Sequence, residues 1–125
     1  MTVTRVLYRG VRRGNQVWRV PLLEDGSVSK VSAFFTSYGP SGPDGLAVDE
    51  AGRVIVANPG LGLIWVLNQR AEPELVLRSC AGSSLTNIAF GGPGRRTLYA
   101  TESVTGSVLR AALDAPGLPI HRAAR

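Results

Sequence analysis

An all-β chain is what this sequence predicts, on three observations. Short runs rich in Val, Ile, Leu, Tyr, Phe and Thr alternate with Gly, Pro, Asn and Asp turns about every 8–12 residues. No window carries an apolar stripe at helical spacing, and the one Ala-rich stretch, at Ala111-Ala112, runs into Pro116. A segment in the middle of the chain recurs further on, which points to a stack of like units.

The expected strands follow in order: Arg5–Tyr8, Gln16–Pro21, Val28–Phe35, Leu46–Asp49, Val54–Ala57, Leu63–Leu67, Leu75–Arg78, Asn87–Phe90, Thr97–Thr101 and Ser107–Ala111. The first repeat pair sets Gly45–Arg53 over Asn87–Arg95, with Leu46 on Ile88, Ala47 on Ala89, Val48 on Phe90 and Gly52 on Gly94. Downstream, Val54–Ala57 falls on Thr97–Ala100, shifted by one residue for the extra Arg96, and Gly62–Trp65 falls on Gly106–Leu109. A third copy begins at Val6-Leu7-Tyr8 and continues at Val17-Trp18-Arg19. The period is about 42–47 residues with three or four strands per unit, the size of a β-propeller blade. An immunoglobulin-like sandwich has the same strand spacing but no such repeat.

The expected architecture is therefore a partial β-propeller of about three blades over residues 1–115, with a tail over 116–125. Blade 1 (1–38) lacks its innermost strand, blade 2 covers about 43–79, and blade 3 about 85–115. Val48, Ile55, Trp65, Phe90 and Tyr99 are expected between sheets, with Trp18 and Trp65 packing between blades. An arc of blades leaves sheet faces uncovered, so a homodimer or missing partner blades on the N-terminal side are expected to complete it.

Composition narrows the chemistry. At 125 residues, 44% hydrophobic and 18% charged, the chain is one modest domain with enough apolar content for a core. No apolar run is long enough to cross a bilayer, and the N-terminus lacks a basic-then-apolar leader pattern, so no membrane partner and a cytoplasmic location are expected. One cysteine, Cys80, excludes an internal disulfide framework or a multi-cysteine zinc site. One histidine, His121 in the expected tail, excludes a histidine-based triad. The net charge of +5 comes from thirteen arginines and one lysine, scattered along the chain. Arg12-Arg13 and Arg95-Arg96 are the adjacent pairs, and both fall in turns. Nucleic-acid sites cluster basic residues on one face, so no nucleic-acid partner is expected.

Several stretches carry a resemblance. Gly42-Pro43-Asp44-Gly45-Leu46-Ala47-Val48-Asp49 resembles the Pro-Asp-Gly segment of the senescence-marker, gluconolactonase and luciferin-regenerating-enzyme-like family. Thr86–Pro93, Leu98–Glu102 and Val17–Leu22 followed by Asp25-Gly26 fit the same family in collinear order, from about Arg5 to Leu113. The resemblance implies a six-bladed propeller of about twice this length or more, one divalent metal, Ca²⁺ or Zn²⁺, near the central channel, and hydrolysis of sugar lactones. Of the family's metal ligands, only the Asp of the Pro-Asp-Gly segment maps here, onto Asp44; a Glu and an Asn would lie in preceding blades.

Asp44 is the candidate catalytic and metal residue. A tight Gly-Pro-Asp-Gly turn presents it at the channel-facing start of an inner strand, where a carboxylate binds a hard cation or accepts a proton from water. The competing reading is a turn-making Asp bonded to its own backbone. Asn87 and Thr86, in register one blade later, are the candidate substrate-binding residues, set against plain strand-start and turn-capping roles. Asn58 and Glu102 are expected as solvated loop residues, and Cys80 as a buried small hydrophobe or a loop thiol. Two functions are carried forward: part of a metal-dependent, gluconolactonase-like hydrolase, or an inactive propeller fragment that binds or assembles.

Overall fold

The computed structural model describes residues 2–120, so His121 lies outside the described residues. Ten strands form three antiparallel sheets. Sheet 1 is β1 (Val3–Val11), β2 (Gln16–Leu23) and β3 (Ser32–Thr36), in that order. Sheet 2 is β4 (Leu46–Val48), β5 (Val54–Asn58), β6 (Leu63–Leu67) and β7 (Pro73–Arg78). Sheet 3 runs β8 (Leu85–Gly91), β9 (Thr97–Glu102), β10 (Ser107–Ala112). Every expected strand is present. The third starts late, because Asp25 accepts the Ser27 N–H at 2.9 Å in a turn and Val28 only bridges Leu22.

Strand pairing defines how the repeats superpose. Residues 12–15, 59–62 and 103–106 are connections of equal length, closed by the pairs Val11–Gln16, Asn58–Leu63 and Glu102–Ser107. So β1, β5 and β9 are equivalent second strands, and among the described residues sheet 1 has no counterpart of β4 and β8. The step from first to second strand differs, however. Val48 pairs with Val54 across residues 49–53, whereas Phe90 pairs with Leu98 across residues 91–97. The insertion is therefore two residues, and Val54 corresponds to Leu98, where the sequence comparison set it on Thr97. A one-residue slip exchanges the two faces of a strand. Tyr99, expected between sheets, thus faces away from sheet 2 and is 37% exposed, while Leu98 and Ala100 are buried.

Sheet 2 is packed on both faces. Toward sheet 1, Val54, Val56 and Leu67 meet Val17, with Tyr8, Phe34, Phe35, Leu46 and Trp65 around them. Two aromatic pairs close this layer, Tyr8–Phe34 with centroids 5.0 Å apart and Phe35–Trp65 at 5.6 Å. Toward sheet 3, Ile55, Ala57, Ile64 and Val66 meet Leu85, Ile88, Leu98, Ala100 and Leu113. All five β5 residues are buried, which is why Val-Ile-Val-Ala reads as a continuous apolar run without alternation. Trp18, expected to pack between blades as Trp65 does, is 38% exposed on the outer face of sheet 1, its indole N–H donating to Gln16 at 3.0 Å.

The segment expected as a tail from residue 116 is instead tied down as far as Leu118. Glu50 N–H donates to Pro116 O at 2.8 Å, Gly117 N–H to Arg95 O at 2.8 Å, and Leu118 N–H to Val48 O at 3.0 Å. Gly117 is needed there because any Cβ would collide with the Phe90 ring. Nearby, buried Asp49 accepts the Arg53 Nε–H at 2.7 Å, and Arg53 Nη2 donates to Asp114, also at 2.7 Å. The hydrogen bond to Asp114, with Asp49 adding to it, raises the Arg53 pKa. This cluster locks the end of sheet 2 remote from Asp44. Among the described residues, no helix is long and apolar enough to cross a membrane.

Candidate functional site

Three sheets meet at backbone where β4 begins. Asp44 N–H donates to Ala57 O at 3.0 Å and Ala57 N–H to Gly45 O at 2.9 Å, extending the β4–β5 ladder through the Pro-Asp-Gly turn. Gly45 N–H then crosses to sheet 3 and donates to Thr86 O at 2.8 Å. A Cβ on Gly45 would run into Asn87, and one on Gly10 of β1 would lie 3.2 Å from Asp44 O. Both glycines thus serve close approach of backbones. The fold therefore brings the three predicted residues to one rim: Asp44 adjoins Thr86 and Asn87 through the Gly45 bridge.

The side chains divide the work. Asp44 is 38% exposed, and its Oδ2 lies 4.0 Å from Nη1 of Arg12, itself 58% exposed. A pair this open and this long contributes at most about 1 kcal/mol. Thr86 Oγ1 shares a hydrogen bond of 2.8 Å with Thr101 Oγ1, which also accepts the Asn87 N–H at 3.1 Å. Asn87 Oδ1 accepts the Ile88 N–H at 2.9 Å, and its Nδ2 makes no hydrogen bond among the described residues. Asn87 is exposed, so that amide can donate to a bound hydroxyl.

Behind this rim stand two residues the sequence misplaced. Asn58 and Glu102, expected in solvent, are fully buried. Asn58 Nδ2 donates to Ser41 O at 2.9 Å, while its Oδ1 accepts the Trp65 indole N–H at 3.2 Å. Glu102 accepts the backbone N–H groups of Ser84 (3.0 Å), Val104 (3.0 Å) and Thr105 (2.7 Å), and the Thr105 hydroxyl at 2.6 Å. The Thr105 hydroxyl, followed by those backbone donors, holds the Glu102 carboxyl down at about 2. Buried and held by these four donors, the carboxylate is a structural pin. Cys80 is exposed, a loop thiol.

Arg12 was not singled out for the site. It lies on the 3-10 turn Arg12–Gly14 between β1 and β2, far from Asp44 in sequence, and only the stacking of sheet 1 on sheet 2 joins them. This neighbour bears on the metal that the family resemblance implies. Among the described residues, no three His, Cys, Asp or Glu side chains converge. Calcium prefers about 6–8 oxygen ligands, whereas Asp44 is one carboxylate with a guanidinium beside it. The described residues do not by themselves fit a divalent cation.

Comparison with solved structures gives long matches. A structure described as a gluconolactonase aligns with a TM-score of 0.77 and 27% identity, over 92% of this chain and 37% of its own. Luciferin-regenerating enzyme aligns at 0.72 and 25%, over 89% of this chain and 42% of its own. Regucalcin from Agrobacterium tumefaciens strain C58, described as a calcium-binding protein, aligns at 0.74 and 23%, over 89% and 43%, a likeness of fold. The chain thus spans about two fifths of each of these propellers. No curated protein sequence gives a significant match. The profile of the SMP-30/Gluconolactonase/LRE-like region matches residues 5–104. With its three stacked sheets and this match over most of its length, the chain belongs to the SMP-30/gluconolactonase/LRE-like family as a partial β-propeller.

Proposed function

We propose that this chain supplies one wall of the channel of a gluconolactonase-like sugar-lactone hydrolase. The observation that carries the reading is the exposed Asp44 carboxylate on the rim, joined to Thr86 and Asn87 through the Gly45–Thr86 hydrogen bond of 2.8 Å. In this reading Asp44 accepts a proton from the water that attacks the lactone carbonyl. The free Asn87 amide and the Thr86 hydroxyl orient the sugar hydroxyls. No step runs through a divalent cation, since the donor set among the described residues does not fit one, and the remaining walls would come from blades outside these residues.

The competing reading is an inactive propeller fragment that binds or assembles, favoured by Arg12 standing beside Asp44 where a cation would sit. Hydrolysis of δ-gluconolactone by the purified chain, with and without added Ca²⁺ or Zn²⁺, decides between them. Turnover above the spontaneous rate that falls about 10²–10⁴-fold in Asp44→Asn supports the hydrolase. Turnover unchanged in Asp44→Asn, or none under any of these conditions, overturns it for this chain.

A further inference from the structure

We propose that the cleft beside Asp44 is an anion site for the carboxylate of a sugar acid. The cleft has a volume of about 380 Å³ and is lined by Arg12, Arg13, Asn15, Pro40, Ser41 and Gly42. Two arginines line it from one turn. Arg12 has only the loose contact to Asp44 at 4.0 Å, and among the described residues Arg13 makes no ion pair. With Asp44 counted, the local charge is still net positive, and a guanidinium fork matches a carboxylate in bidentate fashion.

The walls are held in place without help from a ligand. Gly42 is buried so tightly on the Arg12 carbonyl that no Cβ fits between them. Asn15 O accepts the Ser37 N–H at 2.7 Å, and buried Asn58 fixes Ser41 through its carbonyl at 2.9 Å. Arg12 Nε donates to Ser41 Oγ at 3.2 Å, which ties the guanidinium to a residue of the cleft wall, while its Nη1 has only the 4.0 Å contact to Asp44. A small anion thus meets preplaced donors, which lowers the ordering cost of binding.

The lining also sorts the anions. Among the described residues no aromatic side chain lines the cleft, which gives no platform for a nucleobase. Asn15 and Ser41 offer polar partners for hydroxyls on the carbons next to a carboxylate. A polyhydroxylated carboxylate fits that pattern better than phosphate does. The sugar part of this assignment rests on the lactonase-like reading, because opening a sugar lactone yields such a hydroxy acid. The anion part rests on the arginines alone.

Amide NMR of the ¹⁵N-labelled chain tests it, with titrations of D-glucarate, D-gluconate, inorganic phosphate and neutral sorbitol. The sugar acids are expected to shift the amides of Arg12, Arg13, Asn15, Ser41 and Asp44, and sorbitol to leave them in place. Arg12→Gln with Arg13→Gln should weaken binding about tenfold or more, while Arg70→Gln on a distant turn should not. Phosphate binding as tightly as gluconate overturns the sugar-acid assignment. Absence of shifts, or shifts that persist in the double variant, overturns the site. Hydrolysis is read separately: gluconate binding without lactone turnover keeps this inference and overturns the hydrolase, and the reverse result does the opposite.

Discussion

Asn58 and Glu102 end equivalent second strands in successive sheets, and each is fully buried while bonded to the chain that leads into its own sheet's first strand. Asn58 holds Ser41 ahead of β4 and Glu102 holds Ser84 ahead of β8. The entry to each inner strand is thereby fixed to the exit of the strand beside it. The amide achieves this by donating from Nδ2, its Oδ1 being taken by the Trp65 indole; the carboxylate achieves it by accepting alone.

Acid should therefore loosen the sheet 3 rim. The Glu102 carboxyl titrates near its ordinary 4.5 when unfolded and at about 2 when folded. Between those values the unfolded chain binds the extra proton, so the stability Glu102 supplies is complete above pH 4.5 and lost as pH falls toward 2. Thermal melts across this range should show a falling midpoint in the parent chain and a flatter profile in Glu102→Gln. Equal slopes in the two proteins would contradict the assignment.

Core truncation should separate the two faces of the repeat. Ile55 is fully buried, and Ile55→Ala should cost about 2–5 kcal/mol in urea unfolding. Val108, 68% exposed, follows the position of Ile64 but has no sheet against it, so Val108→Ala should stay within about 0.5 kcal/mol.

Gly45→Ala should disturb the meeting of sheets 2 and 3 more than its size suggests. The new methyl would press on Asn87, including its Cα at 2.7 Å, and on Ile88 N at 3.0 Å, so backbone must move. A loss of about 1–3 kcal/mol is expected, with faster exchange of the Gly45 amide as the Thr86 bond lengthens. Unchanged exchange there would show that the contact tolerates a side chain.

Self-association should follow from the open face of sheet 3. Ala89, Tyr99 and Val108 stand where Ala47, Ile55 and Ile64 are covered by the next sheet. Sedimentation velocity should show the parent chain growing heavier with concentration, and Val108→Glu shifting it toward monomer. A parent chain that stays monomeric at high concentration would refute this.

The strands were legible because each is a short β-rich run bounded by Gly, Pro or Asn, and the repeat was legible because equivalent residues match in type. Register was harder. The Gly91–Arg96 connection holds a 3-10 turn, Pro93–Arg95, with Gly94 and Arg95 both at positive φ, and nothing in residue type says whether it adds one residue or two. That single count decided whether Tyr99 or Leu98 faced the core. Asn58 and Glu102 were misread because a polar residue after a strand resembles a loop until its partners, Ser41 and Ser84, are seen to come from elsewhere. Thr86 shares the register position of Asp44 and Asn87 that of Gly45, so their adjacency could be read from the repeat; the approach of Arg12 needed the stacking of two sheets.

The enclosure of β5 has a kinetic side. Val54 and Val56 find their final surroundings only against sheet 1, and Ile55 and Ala57 only against sheet 3, so the strand as a whole is enclosed only when both sheets are in place. Stacked repeats can fray one unit at a time from an end. Here the first unit to leave uncovers one whole side of the central strand, and loss of the flanking sheets should pull the rest of the arc into the same transition.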